Sequence, residues 1–164
     1  MVMTALDLSL NINGKTHILQ VDPNRLLLDI LREEVQLKGA KYGCGLAQCG
    51  ACTVLIDGNP ARACVLRVRH ASGDHEITTL EGLVDGENST LHPVQEAFIE
   101  MDGTQCGYCL NGMIMTSVAL LARNSNPTVH EVREALKHNL CRCGAHTEIV
   151  ASVLRAAEKA ATVR

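Results

Sequence analysis

Eight cysteines in two sets of four constrain this chain more than any other feature of its sequence. Cys44, Cys49, Cys52 and Cys64 follow the spacing C-x4-C-x2-C-x11-C. Cys106 and Cys109 form C-x2-C, and after 31 intervening residues Cys141 and Cys143 form C-x-C. Eight in 164 residues is about 5%, below the range of secreted disulfide scaffolds. The N-terminal stretch MVMTALDLSLNING shows no basic n-region, no apolar h-region and no small-residue cleavage site. No apolar run approaches the ~20 residues of a membrane span. The expectation is a chain without its own export signal or anchor, cytoplasmic by default. In a reducing compartment clustered cysteines are metal ligands more often than disulfides. The composition agrees that something besides a core must hold the fold. Tyr42, Phe98 and Tyr108 are the whole aromatic content, with no Trp. Net charge is −3, so the basic excess of a nucleic-acid binder is missing.

Hydrophobic periodicity divides the chain in two. Leu6, Leu8, Leu10 and Ile12 alternate with Asp7, Ser9 and Asn11. Asn13-Gly14 then predicts a two-residue hairpin turn, and His17, Leu19 and Val21 continue on the return strand. Leu27, Ile30, Leu31 and Val35 predict a helix over roughly 25–36. A glycine-rich loop with Gly39, Gly43, Gly45 and Gly50 carries three cysteines. Strands are expected at Ala51 to Ile56, around Cys64, Leu66 and Val68, and at Ile77 to Leu80, with a turn at Asp57-Gly58. From Val84 to Thr90 the sequence is polar and turn-rich. Beyond it the pattern is helical, with Val94, Ala97, Phe98 and Met101 at i, i+3, i+4, i+7. Further helices are expected near 111–124, 129–138 and 147–161, the one at 129–138 capped by Thr128 and Glu131. The expected fold class is α+β: residues 1–83 a β-grasp, ferredoxin-like domain, 84–92 a linker, and 93–164 a four-helix bundle.

The C-x4-C-x2-C…C pattern is the plant-type [2Fe–2S] arrangement. Three thiolates wrapped around one end of a cluster demand a loop with few Cβ atoms. Its amide N–H groups must turn toward sulfur to offset the negative charge. Gly43, Gly45 and Gly50 allow both, and Cys64 comes from across the Asp57-Gly58 turn. Zinc and purely structural thiols are the alternatives, although zinc has no need of the x4 gap. In the second set each pair precedes a predicted helix, whose N-terminus favours a negative group. Taken alone, that set also suits one zinc held by four thiolates. Two sets of four leave no cysteine over, which favours two clusters. A Rieske centre would need two histidine ligands, and none of the seven histidines pairs with a cysteine in that way.

KYGCGLAQCGACTV (41–54), QCGYCLNGMIM (105–115) and NLCRCG (139–144) together strongly resemble the small iron–sulfur subunit of the xanthine oxidase family of molybdenum hydroxylases. The resemblance runs from about residue 5 to 160. It implies two [2Fe–2S] clusters relaying electrons from a molybdopterin centre, in its cytosine dinucleotide form, held by a large partner subunit. The acceptor it implies is a flavin subunit or a cytochrome c. The family's usual C-T-P-G is here Cys109-Leu110-Asn111-Gly112, and its C-R-C-T-G-Y is Cys141-Arg142-Cys143-Gly144-Ala145-His146. Both departures resemble the branch containing nicotinate dehydrogenase and isoquinoline oxidoreductase, which implies an N-heteroaromatic substrate such as nicotinate. The small subunit of an aldehyde or other molybdenum hydroxylase and a free two-cluster ferredoxin are the alternatives. Relatives exported folded with a partner make a periplasmic location the second expectation.

The resemblance also sets Gln105 and Cys143 against the pterin. Ala47 replaces a frequent glycine and is expected at negative φ. His146 is expected at the surface, Arg62, Arg67 and Arg69 on a solvated strand face, and Met113 to Met115 in a helix core. Tyr42 and Tyr108 are expected to shield the cluster loops. Gly43-Cys44-Gly45 begins a dinucleotide fingerprint, but Gln48 stands where its last glycine belongs. No P-loop, G-x-S-x-G or paired carboxylates in a catalytic setting occur. The chain is therefore expected to be an enzyme component, with substrate chemistry on a partner. A zinc-stabilised interaction module is the remaining alternative.

Overall fold

The computed structural model describes residues 5–84 and 90–162. Part of the expected linker, 85–89, lies outside the described residues. The first half is a five-stranded mixed sheet in the order β2-β1-β5-β3-β4. Strands β1 (Leu6–Ile12) and β2 (Lys15–Val21) pair antiparallel from Leu6↔Val21 to Ile12↔Lys15. Asn13 and Gly14 turn them at φ 52° and 72°, the left-handed pair that matches strand twist. β3 (Thr53–Ile56) and β4 (Asn59–Arg62) form the second hairpin, and β5 (Glu76–Thr78) lies between the hairpins. It runs parallel to β1 and antiparallel to β3.

The expected 25–36 helix is shorter and wider than its periodicity suggests. One turn, α1 (Leu27–Asp29), continues as π-helix over Ile30–Glu34. Its start is fixed by the neighbouring chain: the Leu27 N–H donates to Leu66 O at 2.7 Å and the Leu28 N–H to Ala63 O at 3.0 Å. Those bonds consume the carbonyls that a strand through Cys64, Leu66 and Val68 would have offered to a sheet. No strand forms there. Cys64 lies in a turn just after β4, and Val68–His70 is a 3-10 turn. The strand expected from Ala51 begins only at Thr53, because the Thr53 N–H closes a turn on Gly50 O at 3.0 Å. The last strand covers Glu76–Thr78, and Leu80–Leu83 is a further 3-10 turn. Leu10, Ile12, Leu27, Leu28, Ile30, Leu31, Val54, Val68 and Ile77 are buried in one core between sheet and helix.

Glu81 ties this domain together. Its carboxylate accepts from the Gly39 N–H at 2.6 Å and the Thr79 hydroxyl at 2.7 Å. Partial burial opposes the charge, but these bonds and one from the Lys38 N–H outweigh it and lower the carboxyl below its ordinary 4.5. A lowered folded value means stability that is present above 4.5 and lost as pH falls through the folded value. The Glu81→Gln variant is expected to lose that contribution at neutral pH and to unfold with a weaker acid dependence. Urea midpoints at pH 7 and below pH 4 check this. An unchanged acid dependence would contradict it.

The second half holds α2 (Pro93–Glu100), α3 (Leu110–Arg123), α4 (Val129–Leu136) and α5 (His146–Thr162), so the described residues contain five α-helical segments with α1. His92 caps α2 by accepting from the Val94 N–H at 3.2 Å, with Pro93 in the first turn. Burial lowers the His92 imidazole, which keeps it neutral and able to accept. Thr128 and Glu131 form the expected capping box on α4. Phe98, Met113, Ile114, Val132, Ile149 and Val153 form the helical core. The Met113 to Met115 run is buried, as its sequence suggested. Leu55 of β3 packs with Met115 and Ala119 of α3, joining the two halves. No described helix is long and apolar enough to cross a membrane.

Candidate metal centres

The first cysteine loop is wound so that its amides face sulfur. The N–H groups of Leu46, Gln48 and Cys49 approach Cys44 Sγ at 3.3, 3.3 and 3.4 Å. The Cys44 N–H in turn approaches Cys49 Sγ at 3.4 Å. These donors, Leu46 foremost, lower the Cys44 thiol to about 7 against opposing burial. Such winding needs left-handed residues, here Gly45 at φ 69°, Ala47 at 60° and Gly50 at 81°. The expectation of a negative φ at Ala47 is therefore wrong. The amides on either side of it must both turn inward, and only a left-handed residue allows that.

An alanine there costs roughly 1–2 kcal/mol. Glycine removes that cost but adds about 0.4–1 kcal/mol of unfolded-chain entropy. The Ala47→Gly variant is expected to be more stable by about 0.5 kcal/mol. A thermal midpoint below that of the unsubstituted protein would refute it.

Cys52 and Cys64 are buried at 1% and 3% exposure. Burial pushes the Cys52 thiol up to about 12, helped by its contact with Cys64. The four thiols thus form two contacting pairs, Cys44 with Cys49 and Cys52 with Cys64. The second set repeats this. Cys106 contacts Cys143, and Cys109 contacts Cys141. Burial and then the Cys141 thiol push Cys109 up to about 12. The Tyr108 N–H lowers Cys106, with the Cys143 thiol next. At Cys141 burial opposes ionisation, but the Ala145 N–H and the Cys109 thiol outweigh it. Cys109 is the N-cap of α3, and Cys141 and Cys143 precede α5, which begins at His146. Two pairs per set suit a binuclear cluster, which takes two thiolates on each iron. A single zinc draws four ligands to one point. Among the described residues no three His, Cys, Asp or Glu are so arranged.

Both sets open on one cleft of about 460 Å³, lined by Cys44 and Cys49 from the first and Cys106, Cys109 and Cys141 from the second. The Tyr108 hydroxyl donates to Tyr42 O at 2.5 Å, and the Leu140 N–H to Cys49 O at 2.9 Å, so the cysteine loops touch directly. Gln105, Cys106, Arg142, Cys143 and His146 are exposed on the helical side.

Sequence reasoning missed the residues that join the halves. Arg62 does not lie on a solvated face. It donates to His138 O at 3.0 Å, to Asn139 Oδ1 at 3.4 Å and to the Thr53 hydroxyl. Arg67 and Arg69 both grip Asn24, Arg67 through its carbonyl at 2.7 Å and Arg69 through its side chain. Asn111, noticed only as a departure from C-T-P-G, reaches from α3 into the first cysteine loop. Its Nδ2 donates to Ala51 O and Thr53 O, both at 2.9 Å. No local pattern marks the contacts between the halves, which span 58 to 77 residues.

Residues 10–81 match the 2Fe-2S iron–sulfur cluster binding domain family, and residues 79–154 the [2Fe-2S] binding domain family. The chain is 53% identical over 151 residues to a nicotinate dehydrogenase subunit of Pseudomonas putida, covering 92% of this chain and 94% of that one. It is 45% identical over 168 residues to the iron–sulfur-binding subunit of an aldehyde oxidoreductase from Escherichia coli, covering 93% and 72%. A chain of the crystal structure of quinoline 2-oxidoreductase from Pseudomonas putida 86 superposes with a TM-score of 0.90 at 40% identity, covering 97% and 98%. Each of these relatives matches more than nine-tenths of the chain. The chain accordingly belongs to the electron-transferring iron–sulfur subunits of the molybdenum hydroxylases.

Proposed function

We propose that Cys44, Cys49, Cys52 and Cys64 hold one [2Fe–2S] cluster and Cys106, Cys109, Cys141 and Cys143 the other. The pairing of the thiols carries this assignment. Bound there, each cluster supplies storage for one electron at a time. The chain's own task is to hold the sites. The Leu46, Gln48 and Cys49 amides stabilise the thiolate of Cys44. The Tyr108 and Leu140 bonds keep the two loops together. In this reading residues 1–83 are a β-grasp domain, 84–92 a linker and 93–164 a four-helix bundle.

Exposed Gln105 and Cys143 face a large partner subunit and contact its molybdopterin, in the cytosine dinucleotide form. The first-domain loop, with Leu46 66% exposed, faces the external acceptor, a flavin subunit or a cytochrome c. The substrate is an N-heteroaromatic ring such as nicotinate, a reading supported by the relative at 53% identity. Service to an aldehyde-oxidising partner is the second reading, favoured by the relative at 45%. The location is cytoplasmic, or periplasmic if the complex is exported folded.

The test is purification of the chain with its large subunit, followed by rapid mixing with nicotinate and, separately, with an aldehyde. The two reduced-state paramagnetic signals are followed in time. The expected result is reduction by nicotinate, with the Cys143→Ser variant blocked at the start and the Cys49→Ser variant blocked only at the external acceptor. Reduction by the aldehyde alone would replace the substrate reading. The reverse pattern in the two variants would reverse the direction of flow. A stable monomer that carries electrons without a molybdenum chain would favour a free ferredoxin.

A further inference from the structure

The turn that carries Cys52 is held from the second domain by a side chain that the cluster assignment does not use. In the turn Gly50 to Thr53, which carries Cys52, every carbonyl has a partner. Gly50 O accepts from the Thr53 N–H at 3.0 Å and the Thr53 hydroxyl at 2.6 Å. Cys52 O accepts from the Ala63 N–H at 3.3 Å. Ala51 O accepts from the Lys41 N–H at 3.0 Å and from Asn111 Nδ2 at 2.9 Å. Thr53 O accepts from the same Nδ2 at 2.9 Å. One amide group therefore bridges the carbonyls on either side of Cys52, and it stands two residues after Cys109.

Asn111 is fully buried, and its Oδ1 has no hydrogen-bond partner among the described atoms. A buried amide with an idle acceptor is costly, whereas a leucine of similar size would pack there without that cost. What the asparagine provides that a leucine does not is the pair of donated bonds to the Cys52 turn.

We infer that Asn111 is a positioning residue of the electron relay. It fixes Cys52 relative to Cys109, and so sets the mutual placement of the two centres and the polarity around the first. The inference rests on the assignment of Cys52 and Cys109 as ligands made above. Two consequences separate this role from plain packing. The Nδ2 protons bring partial positive charge to the Cys52 turn, and reduction of a centre there adds negative charge. Removing them, and with them the donor to Thr53 O, disfavours reduction of the first centre only. Loosening the bridge also alters the distance and orientation on which magnetic interaction between the two reduced centres depends.

The experiment uses the purified complex with its large subunit, comparing the unsubstituted chain with Asn111→Leu and Asn111→Ser. Leucine keeps the volume and removes the donor. Serine is the milder change should leucine prevent assembly, since its hydroxyl is too short to bridge both carbonyls. Iron and sulfide content, the potential of each centre and the spin–spin splitting of the fully reduced complex are measured. The expected result is full iron content, a first-centre potential moved to more negative values, an unmoved second-centre potential and a diminished splitting. Unaltered potential and splitting in the serine variant, or in the leucine variant if it assembles, would overturn the role of Asn111. So would equal loss of iron from both centres, which is what a packing role predicts. Absence of two [2Fe–2S] signals from the unsubstituted complex would instead overturn the ligand assignment beneath it.

Discussion

Replacing Cys52 by serine is expected to halve the iron of this chain. Two binuclear clusters amount to about four irons and about four labile sulfides, and the variant is expected to keep about two of each. The reason lies in the burial of that position. Cys52 is 1% exposed, and burial already pushes its thiol up to about 12. A serine hydroxyl ionises far less readily than a thiol, so in the same surroundings it supplies no anionic ligand. The amides aimed at Cys44 would then face a thiol pair, Cys44 with Cys49, that cannot hold a binuclear centre by itself. The second set sits on the N-cap of α3 and the segment before α5, with no ligand from the lost pair. Its paramagnetic signal is expected to persist. Chemical iron and sulfide assays with spectroscopy of the reduced protein decide the matter. Full iron content would remove Cys52 from the ligand set, and complete loss would show that the second centre cannot form without the first.

What could be read from the sequence follows the range of the interactions concerned. The β1–β2 hairpin was legible because alternation and Asn13-Gly14 act within a few residues, and the structure has that register. The helices of the second half fall within about two residues of their periodic patterns, the usual uncertainty of helix ends. Their capping signals, Pro93 and the Thr128–Glu131 box, are local as well. The stretch after β4 was misread because Cys64, Leu66 and Val68 alternate like a strand. Their surroundings instead offer carbonyls to the N–H groups of Leu27 and Leu28, nearly forty residues away in sequence, which only the tertiary fold brings near. Ala47 was misread because side-chain preference was set against the demand of three amides for one sulfur, and the amides prevailed. The cysteine sets were visible as spacing. The division of each set into two contacting pairs was not, since it depends in the first set on the winding of the loop and in the second on where α3 and α5 begin. Arg62, Asn111 and Asn139 gave no signal of the contacts they make between the domains, because those partners lie 58 to 77 residues away.

The second large effect is expected at Gly112, where helix propensity gives the wrong sign. A glycine inside a helix is usually improved by alanine, by about 1 kcal/mol. Gly112 occupies the first turn of α3 and is buried. A Cβ placed there would stand 2.1 Å from Gly50 O and 2.7 Å from Gly50 C, with Asn139 Oδ1 at 3.1 Å. Ordinary carbon–oxygen contacts are about 3.3 Å or longer, so α3 or the loop must retreat by about 1 Å. Gly50 O cannot easily yield, because it is held by both the N–H and the hydroxyl of Thr53. The helix must move instead. Its retreat stretches both Asn111 bonds and opens the contact of Leu55 with Met115 and Ala119. Overpacking at such a junction, with two buried hydrogen bonds strained, is expected to cost about 3 kcal/mol net of the propensity gain. For a protein of this size that lowers the thermal midpoint by roughly 6–12 °C. Calorimetry of the loaded Gly112→Ala protein measures it, and a midpoint equal to or above that of the unsubstituted protein would show that α3 does not rest on the Gly50 carbonyl. The larger Gly112→Val change should prevent the two domains from docking while leaving each cysteine set its own loop. The first centre, which relies on Asn111 for the polarity of the Cys52 turn, should then be the one whose potential becomes more negative, with both centres keeping their iron.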